Sequence, residues 1–248
     1  MSQDSSLGSP FLVVSNSMPT ISDTLATRRS ITLLTKQGYS NIESLSCRSF
    51  QATHPDWGLV VLKLAQQTEH KICLKREAEF LHSYSSAYWA TYLDYFSFDA
   101  TDCLVVSYIS GQTLAEHALS PSVNPNWINA VECALIAMHK TNHIHGDIKP
   151  SNIILEETGG VKLIDFGSIR KQGEDYLADR FDSYTPSFTA RSSDGRYAQR
   201  LDDWGSLAIS IQRFLQASDS IEANHSESPF SVKLPSRYQF LLLRIQKQ

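Results

Sequence analysis

The chain has 248 residues, 42% of them hydrophobic, with 22 basic against 26 acidic side chains and a net charge of −4. That length and apolar share can bury one substantial core, while the faintly acidic balance, with no basic block interleaved with aromatics, argues against nucleic acid as a partner. No apolar stretch nears the roughly 18 residues of a membrane span and no signal-like segment follows the N-terminus, so a cytoplasmic protein without a membrane span is expected. Cys47, Cys73, Cys103 and Cys133 are widely spaced without a paired metal-ligand pattern, which predicts buried free thiols in a reducing compartment.

Residues 1 to 28 are rich in Ser and Thr with little periodicity and read as a disordered tail. In Lys75-Arg76-Glu77-Ala78-Glu79-Phe80-Leu81, Phe80 and Leu81 follow Glu77 by three and four positions, an apolar stripe at helical spacing. Leu104-Val105-Val106 is an apolar strand that ends in a turn through Ser107, Tyr108, Ile109, Ser110 and Gly111. Trp127, Ala130, Val131, Ala134, Leu135 and Met138 fall on one helical face, which is read as core. Ile153-Ile154-Leu155 and Val161-Lys162-Leu163-Ile164, separated by a turn with Gly159-Gly160, predict a β-hairpin. Ala217 to Pro229 reads as a loop before a last helix through Tyr238, Phe240, Leu241, Leu242 and Leu243.

The richest segment is His143-Ile144-His145-Gly146-Asp147-Ile148-Lys149-Pro150-Ser151-Asn152, followed by Leu163-Ile164-Asp165-Phe166-Gly167. Phosphoryl transfer needs a base near the attacking hydroxyl, metal ions on the phosphate oxygens and a cation that keeps the nucleotide in line. Asp147 suits the base, Asn152 and Asp165 are hard oxygen ligands of the kind magnesium takes, and Lys149 can meet charge on the γ-phosphate. The hairpin between the two motifs folds Asp147 and Asp165 back to one end, although eighteen residues separate them. His145 is expected to prop the loop by bonding to backbone.

These residues resemble the protein-kinase superfamily: His145 to Asn152 is similar to its H-R-D-x-K-P-x-N loop, and Asp165-Phe166-Gly167 is its D-F-G motif. The resemblance implies an α+β, bilobal fold with a small β-rich N-lobe over residues 29–107 and a mostly helical, shortened C-lobe over residues 108–248. It also implies ATP and Mg2+, with Mn2+ as an alternative, and assigns cofactor-binding roles. Lys63 would contact the α- and β-phosphates and pair with Glu77, Glu79 being the minority alternative. Val106 would be the gatekeeper, with backbone of Ser107 and Ile109 facing adenine. Asp202 would brace the catalytic loop from behind, Asp203 being the alternative one residue on.

Three departures qualify the resemblance. The phosphate-covering loop has no G-x-G-x-x-G, with Gly38 alone before the strand at Ser49-Phe50-Gln51-Ala52, so Gly38 is assigned to that loop. Gly146 replaces the arginine that in the family receives an activation-loop phosphate, which makes such control less expected. The A-P-E stop is replaced by Ala190-Arg191-Ser192, and only 46 residues follow Asp202. Hydroxyls of Ser183, Tyr184, Thr185, Ser187, Thr189, Ser192 and Ser193 in this segment are read mainly as solvated.

Lys149-Pro150 leans to the serine/threonine branch, so the leading expectation is a protein kinase that transfers the γ-phosphate of ATP to Ser or Thr of a protein substrate, with autophosphorylation among its activities. The H-G-D form and Gly38-Tyr39-Ser40-Asn41 also resemble small-molecule phosphotransferases of the same superfamily, the second expectation, and compact lobes of this type give a family-level impression of bacterial origin. A pseudokinase scaffold is the third, encouraged by the poor glycine loop.

Overall fold

The computed structural model describes residues 21–117, 127–178, 184–190, 196–222 and 234–245. Its first lobe is a five-stranded antiparallel sheet in the order β1-β2-β3-β5-β4, built from β1 Ser40–Ser44, β2 Ser49–His54, β3 Gly58–Ala65, β4 Tyr92–Phe98 and β5 Thr101–Ser107. Helix α2, Thr68–Ser83, connects β3 to β4. Helix α1, Ile21–Lys36, precedes the sheet; it begins inside the segment read as a tail, and residues 1–20 lie outside the described residues.

Period-two alternation along β3 decides what each face of the sheet does. Val60, Leu62 and Leu64 point outward into a cluster with Leu34, Tyr39, Phe50, Ala52, Cys103 and Val105. Leu34 brings α1 onto that outer face, so the side of the sheet away from the second lobe is covered. The intervening Val61 and Ala65 join the other core, shared with Leu104 and Val106 of β5, Leu74, Phe80 and Leu81 of α2, and residues of the second lobe. Lys63 has the parity of Val61, which turns its ammonium toward the cleft.

The second lobe begins with β6 Gln112–Thr113 and the short α3 Leu114–His117, followed by α4 Trp127–His139 and β7 His143–Ile144. The predicted hairpin is present as β8 Ile153–Leu155 and β9 Val161–Leu163, with Ile153 opposite Leu163. The apolar stripe of α4 is buried through Trp127, Val131, Ala134, Leu135 and Met138, against α5 Arg200–Glu222 and α6 Ser236–Ile245. This is the bilobal α+β architecture expected from the motifs.

Three expectations change. Helix α5 runs on to Glu222, five residues past the point where a loop was expected to begin; the rest of that loop lies outside the described residues. Of the four cysteines, all free, only Cys103 is buried; Cys47 and Cys133 are exposed. Arg170, which with Lys171 forms a small basic pair in the sequence whose default reading is solvated surface, is buried in β10 Arg170–Lys171, which pairs with β7, and its Nη1 donates to the Ile169 carbonyl at 2.9 Å.

Candidate active site

The catalytic loop leaves β7 at Ile144 and closes into a 3-10 turn at Pro150–Asn152, where Lys149 is extended and Pro150 supplies the fixed φ of the first turn position. Asn152 donates through Nδ2 to the Asp147 carbonyl at 2.9 Å and to Asp147 Oδ2 at 3.3 Å. Its amide nitrogen is thereby spent inside the loop and its oxygen stays available as an acceptor. Lys149 Nζ donates to Asp147 Oδ2 at 2.7 Å and to Thr185 Oγ1 at 2.8 Å, while the Thr185 amide donates to Asp147 Oδ1 at 2.9 Å. The activation segment is thus fastened directly onto the proposed base, through a hydroxyl that had been read as solvated.

Behind this loop, a buried carboxylate collects its backbone donors. Asp203 Oδ2 accepts from the His145 amide at 2.9 Å and lies 2.8 Å from His139 Nε2, and Oδ1 accepts from the Gly146 amide at 3.0 Å. The brace is therefore Asp203 and not Asp202. Asp202 lies one helical step, about 100°, away and instead accepts from the Gln199 amide and the Tyr176 hydroxyl, both at 2.8 Å, which caps the first turn of α5. His145 props the loop as expected: its Nε2 lies 3.2 Å from the Ile164 carbonyl, and its ring lies against Phe166 with centroids 5.0 Å apart.

Gly146 has φ +80, and a β-carbon there would stand 2.6 Å from the Ser168 carbonyl oxygen. The positive φ and the tight contact both exclude an arginine at this point, so the missing phosphate sensor follows from the way this loop packs on the D-F-G turn. Gly146→Ala is expected to cost about 1–3 kcal/mol through strain and overpacking, measured as a fall in Tm; an unchanged Tm would refute the fit.

Asp165 sits at φ 66, ψ 71, a left-handed conformation uncommon outside glycine. It turns Phe166 inward, where the ring stacks on Phe80 of α2 at 4.9 Å and meets Trp89 at 5.9 Å. Glu77 of α2 accepts the Phe166 backbone N–H and pairs with Lys63 Nζ at 2.6 Å. Glu79, the alternative partner, points outward at 3.9 Å from Lys75. Burial pushes the Glu77 carboxyl up, against the pull of Lys63. Burial also disfavours the Lys63 ammonium, but Glu77 and Asp165 outweigh it and hold Lys63 above its ordinary value. Asp165 too is opposed by burial, yet Lys63, Lys149, His145 and Arg48 together keep its carboxyl below the usual range.

The Ile164 N–H donates to the main-chain carbonyl of Asn152 at 3.0 Å, which ties the two segments together; the ionised Asp165 carboxylate and the side-chain oxygen of Asn152 are hard donors of the kind that fits a divalent cation sharing its remaining positions with phosphate and water. At the hinge, Val106 is buried opposite Val61. The Ser107 amide is spent on the Thr91 carbonyl at 2.9 Å, whereas the Ile109 amide has no hydrogen-bond partner among the described residues.

Gly38 does not join this constellation. Its amide donates to Thr35 O at 3.1 Å and the Tyr39 amide to Leu34 O at 3.2 Å, with φ +96 at Gly38; it closes the C-terminus of α1 as a left-handed cap. By strand register it lies at the wrong end of the sheet: Ser40 faces Thr53, Thr53 faces Leu59, and Lys63 is four residues farther along β3, about 13 Å at a strand rise of ~3.3 Å per residue. The turn that overhangs Lys63 is Leu45-Ser46-Cys47-Arg48, between β1 and β2.

A lysine–glutamate pair between β3 and α2, an aspartate held by asparagine and lysine in the loop after β7, and the aspartate of a D-F-G turn coincide with the family model described as "Protein kinase domain", which matches residues 50–241, more than half of the chain. The chain belongs to the protein-kinase superfamily. Among curated relatives, this kinase domain is 25% identical over 186 residues to Citron rho-interacting kinase of Rattus norvegicus, an alignment covering 69% of this chain and 9% of that protein. It is 28% identical to Rho-associated protein kinase 1 of Homo sapiens, over 56% of this chain and 11% of the relative. It is 26% identical to serine/threonine-protein kinase MRCK beta of Homo sapiens, over 64% and 10%. The kinase domain described here spans only a small part of the length of the relatives it matches. Among the described residues, no helix is long and apolar enough to cross a membrane.

Proposed function

We propose that this chain is a serine/threonine protein kinase using ATP and magnesium, with residues 29–107 as the small lobe and 108–248 as the large lobe, acting in the cytoplasm. The observation that carries the reading is Lys149 Nζ shared between Asp147 Oδ2 at 2.7 Å and Thr185 Oγ1 at 2.8 Å. It sets the activation segment, where a polypeptide would lie, beside the base.

In this mechanism the substrate hydroxyl gives its proton to Asp147 as its oxygen bonds to the γ-phosphorus, and the bond from that phosphorus to the bridging oxygen breaks, leaving ADP. Two bonds from Lys149 and Asn152 and one from the Thr185 amide leave the Asp147 carboxylate a free lone pair for that proton. Lys149 meets the charge on the transferring group, and Lys63, fixed by Glu77, holds the nucleotide in line. Magnesium held by Asp165 and Asn152 would neutralise phosphate charge.

The smaller-acceptor reading retains one supporting observation, the glycine demanded at position 146. Incubation with γ-labelled ATP and magnesium separates the two. Label is expected on Ser or Thr of the chain itself or of an added protein; label found only on added small alcohols would replace the protein-kinase reading, and no label on any acceptor would refute both.

A further inference from the structure

The turn between β1 and β2 cannot grip phosphate as a glycine loop does, because its amides are already used. Leu45 N and Ser46 N both donate to the Ser49 carbonyl, at 2.8 and 3.0 Å. Arg48 N and Ser49 N both donate to Ser46 Oγ, at 3.4 and 3.1 Å, and Ser44 Oγ donates to the Ser46 carbonyl at 2.9 Å. Only the Cys47 amide of these five successive residues has no partner of this kind. A phosphate cradle needs several N–H groups converging on one point, and this turn has folded them onto itself.

What the turn carries instead is a cation. The Arg48 carbonyl accepts from the Leu64 amide at 2.8 Å, and Ser49 faces Lys63 across the sheet, so Arg48 is fixed within one residue of the β3 lysine. Its side chain is exposed and has no salt-bridge partner among the described residues. Its charge nevertheless reaches Lys63 of β3, Asp165 of the D-F-G motif and His70 and Cys73 of α2. Lys63 and Asp165 flank the place where the phosphates of a nucleotide, with the cation held by Asp165, would lie. Among the described residues no carboxylate pairs with the guanidinium, and its planar fork of donors matches two phosphate oxygens at once.

We propose that Arg48 is a nucleotide-binding residue that clamps the β- and γ-phosphates of the nucleoside triphosphate in place of the amides of a glycine loop. This inference rests on the nucleotide-binding reading above. It accounts for the absence of the glycines: once a side chain supplies the donors, the backbone need not approach the phosphates, and the turn is free to close on itself.

Calorimetric titration of the full chain with MgATP, MgADP and adenosine tests the assignment in wild type, Arg48→Ala and Arg48→Lys. Arg48→Ala is expected to weaken MgATP about tenfold, the worth of an exposed charge-assisted bidentate contact. It should weaken MgADP less and leave adenosine unchanged, with Tm unmoved because the side chain is exposed. Arg48→Lys should restore part of the MgATP affinity. Equal affinity of wild type and Arg48→Ala for MgATP, or a matching loss for adenosine, overturns the clamp while leaving the kinase reading intact. A wild-type chain that binds none of the three overturns both.

Discussion

Asp147→Asn is expected to lower the phosphoryl-transfer rate about 10²–10⁴-fold, the range that a positioned general base contributes. The substitution is chosen because the site tolerates its shape. An asparagine oxygen can still accept from Lys149 Nζ, now 2.7 Å from Oδ2, or from the Thr185 amide, now 2.9 Å from Oδ1. What is lost is the proton acceptor. Nucleotide affinity should change less than about threefold, because Lys63, assigned to the phosphates, and Asp165, assigned to the metal, are left in place; single-turnover transfer together with a calorimetric titration separates the two effects. An unchanged rate would remove Asp147 from the chemistry. A parallel loss of rate and of MgATP affinity would show that the residue organises the nucleotide instead.

The groups that this prediction uses were legible in the sequence because each carries its chemistry in its type and is held in a short motif. Asp147, Lys149, Asn152 and Asp165 lie within two segments joined by one hairpin, and Lys63 stands in the run Val60 to Leu64 that resembles the family's V-A-I-K strand. Glu77 was separable from Glu79 by helical spacing alone, and the structure places only Glu77 against Lys63. Gly38 was misplaced because glycine serves a helix C-cap and a phosphate loop for the same conformational reason. Sequence does not say which, and here the Schellman pattern of bonds at the end of α1 decides. Thr185 gave no sign: a hydroxyl in an aperiodic segment looks solvated until the fold brings Lys149 to it from thirty-six positions away. The Leu45–Arg48 turn was overlooked for the opposite reason, since a loop that lacks the expected glycines offers no motif to match.

Asp203 against Asp202 is the case in which one residue of register carries the largest stability effect. Asp203→Ala would leave the amides of His145 and Gly146 and the His139 ring without their acceptor in a site where Asp203 is 1% exposed. Buried donors stripped of a charged partner cost about 3–5 kcal/mol. At about 2–4 °C per kcal/mol for a chain of this size, that is a fall in Tm on the order of 10 °C. Asp202→Ala removes a cap and the Tyr176 contact at a partly exposed position, a loss of about 1 kcal/mol. Asp203→Asn guards against a variant too unstable to study: it keeps an oxygen for one amide but turns an NH2 toward the other, so it should fall between the two. Thermal melts of the three variants give the ordering directly, and transfer rates should follow it, because Asp203 holds the backbone on either side of His145 and so sets where Asp147 points. Equal destabilisation by Asp202→Ala and Asp203→Ala would mean that the loop is anchored by its own turn and not by α5.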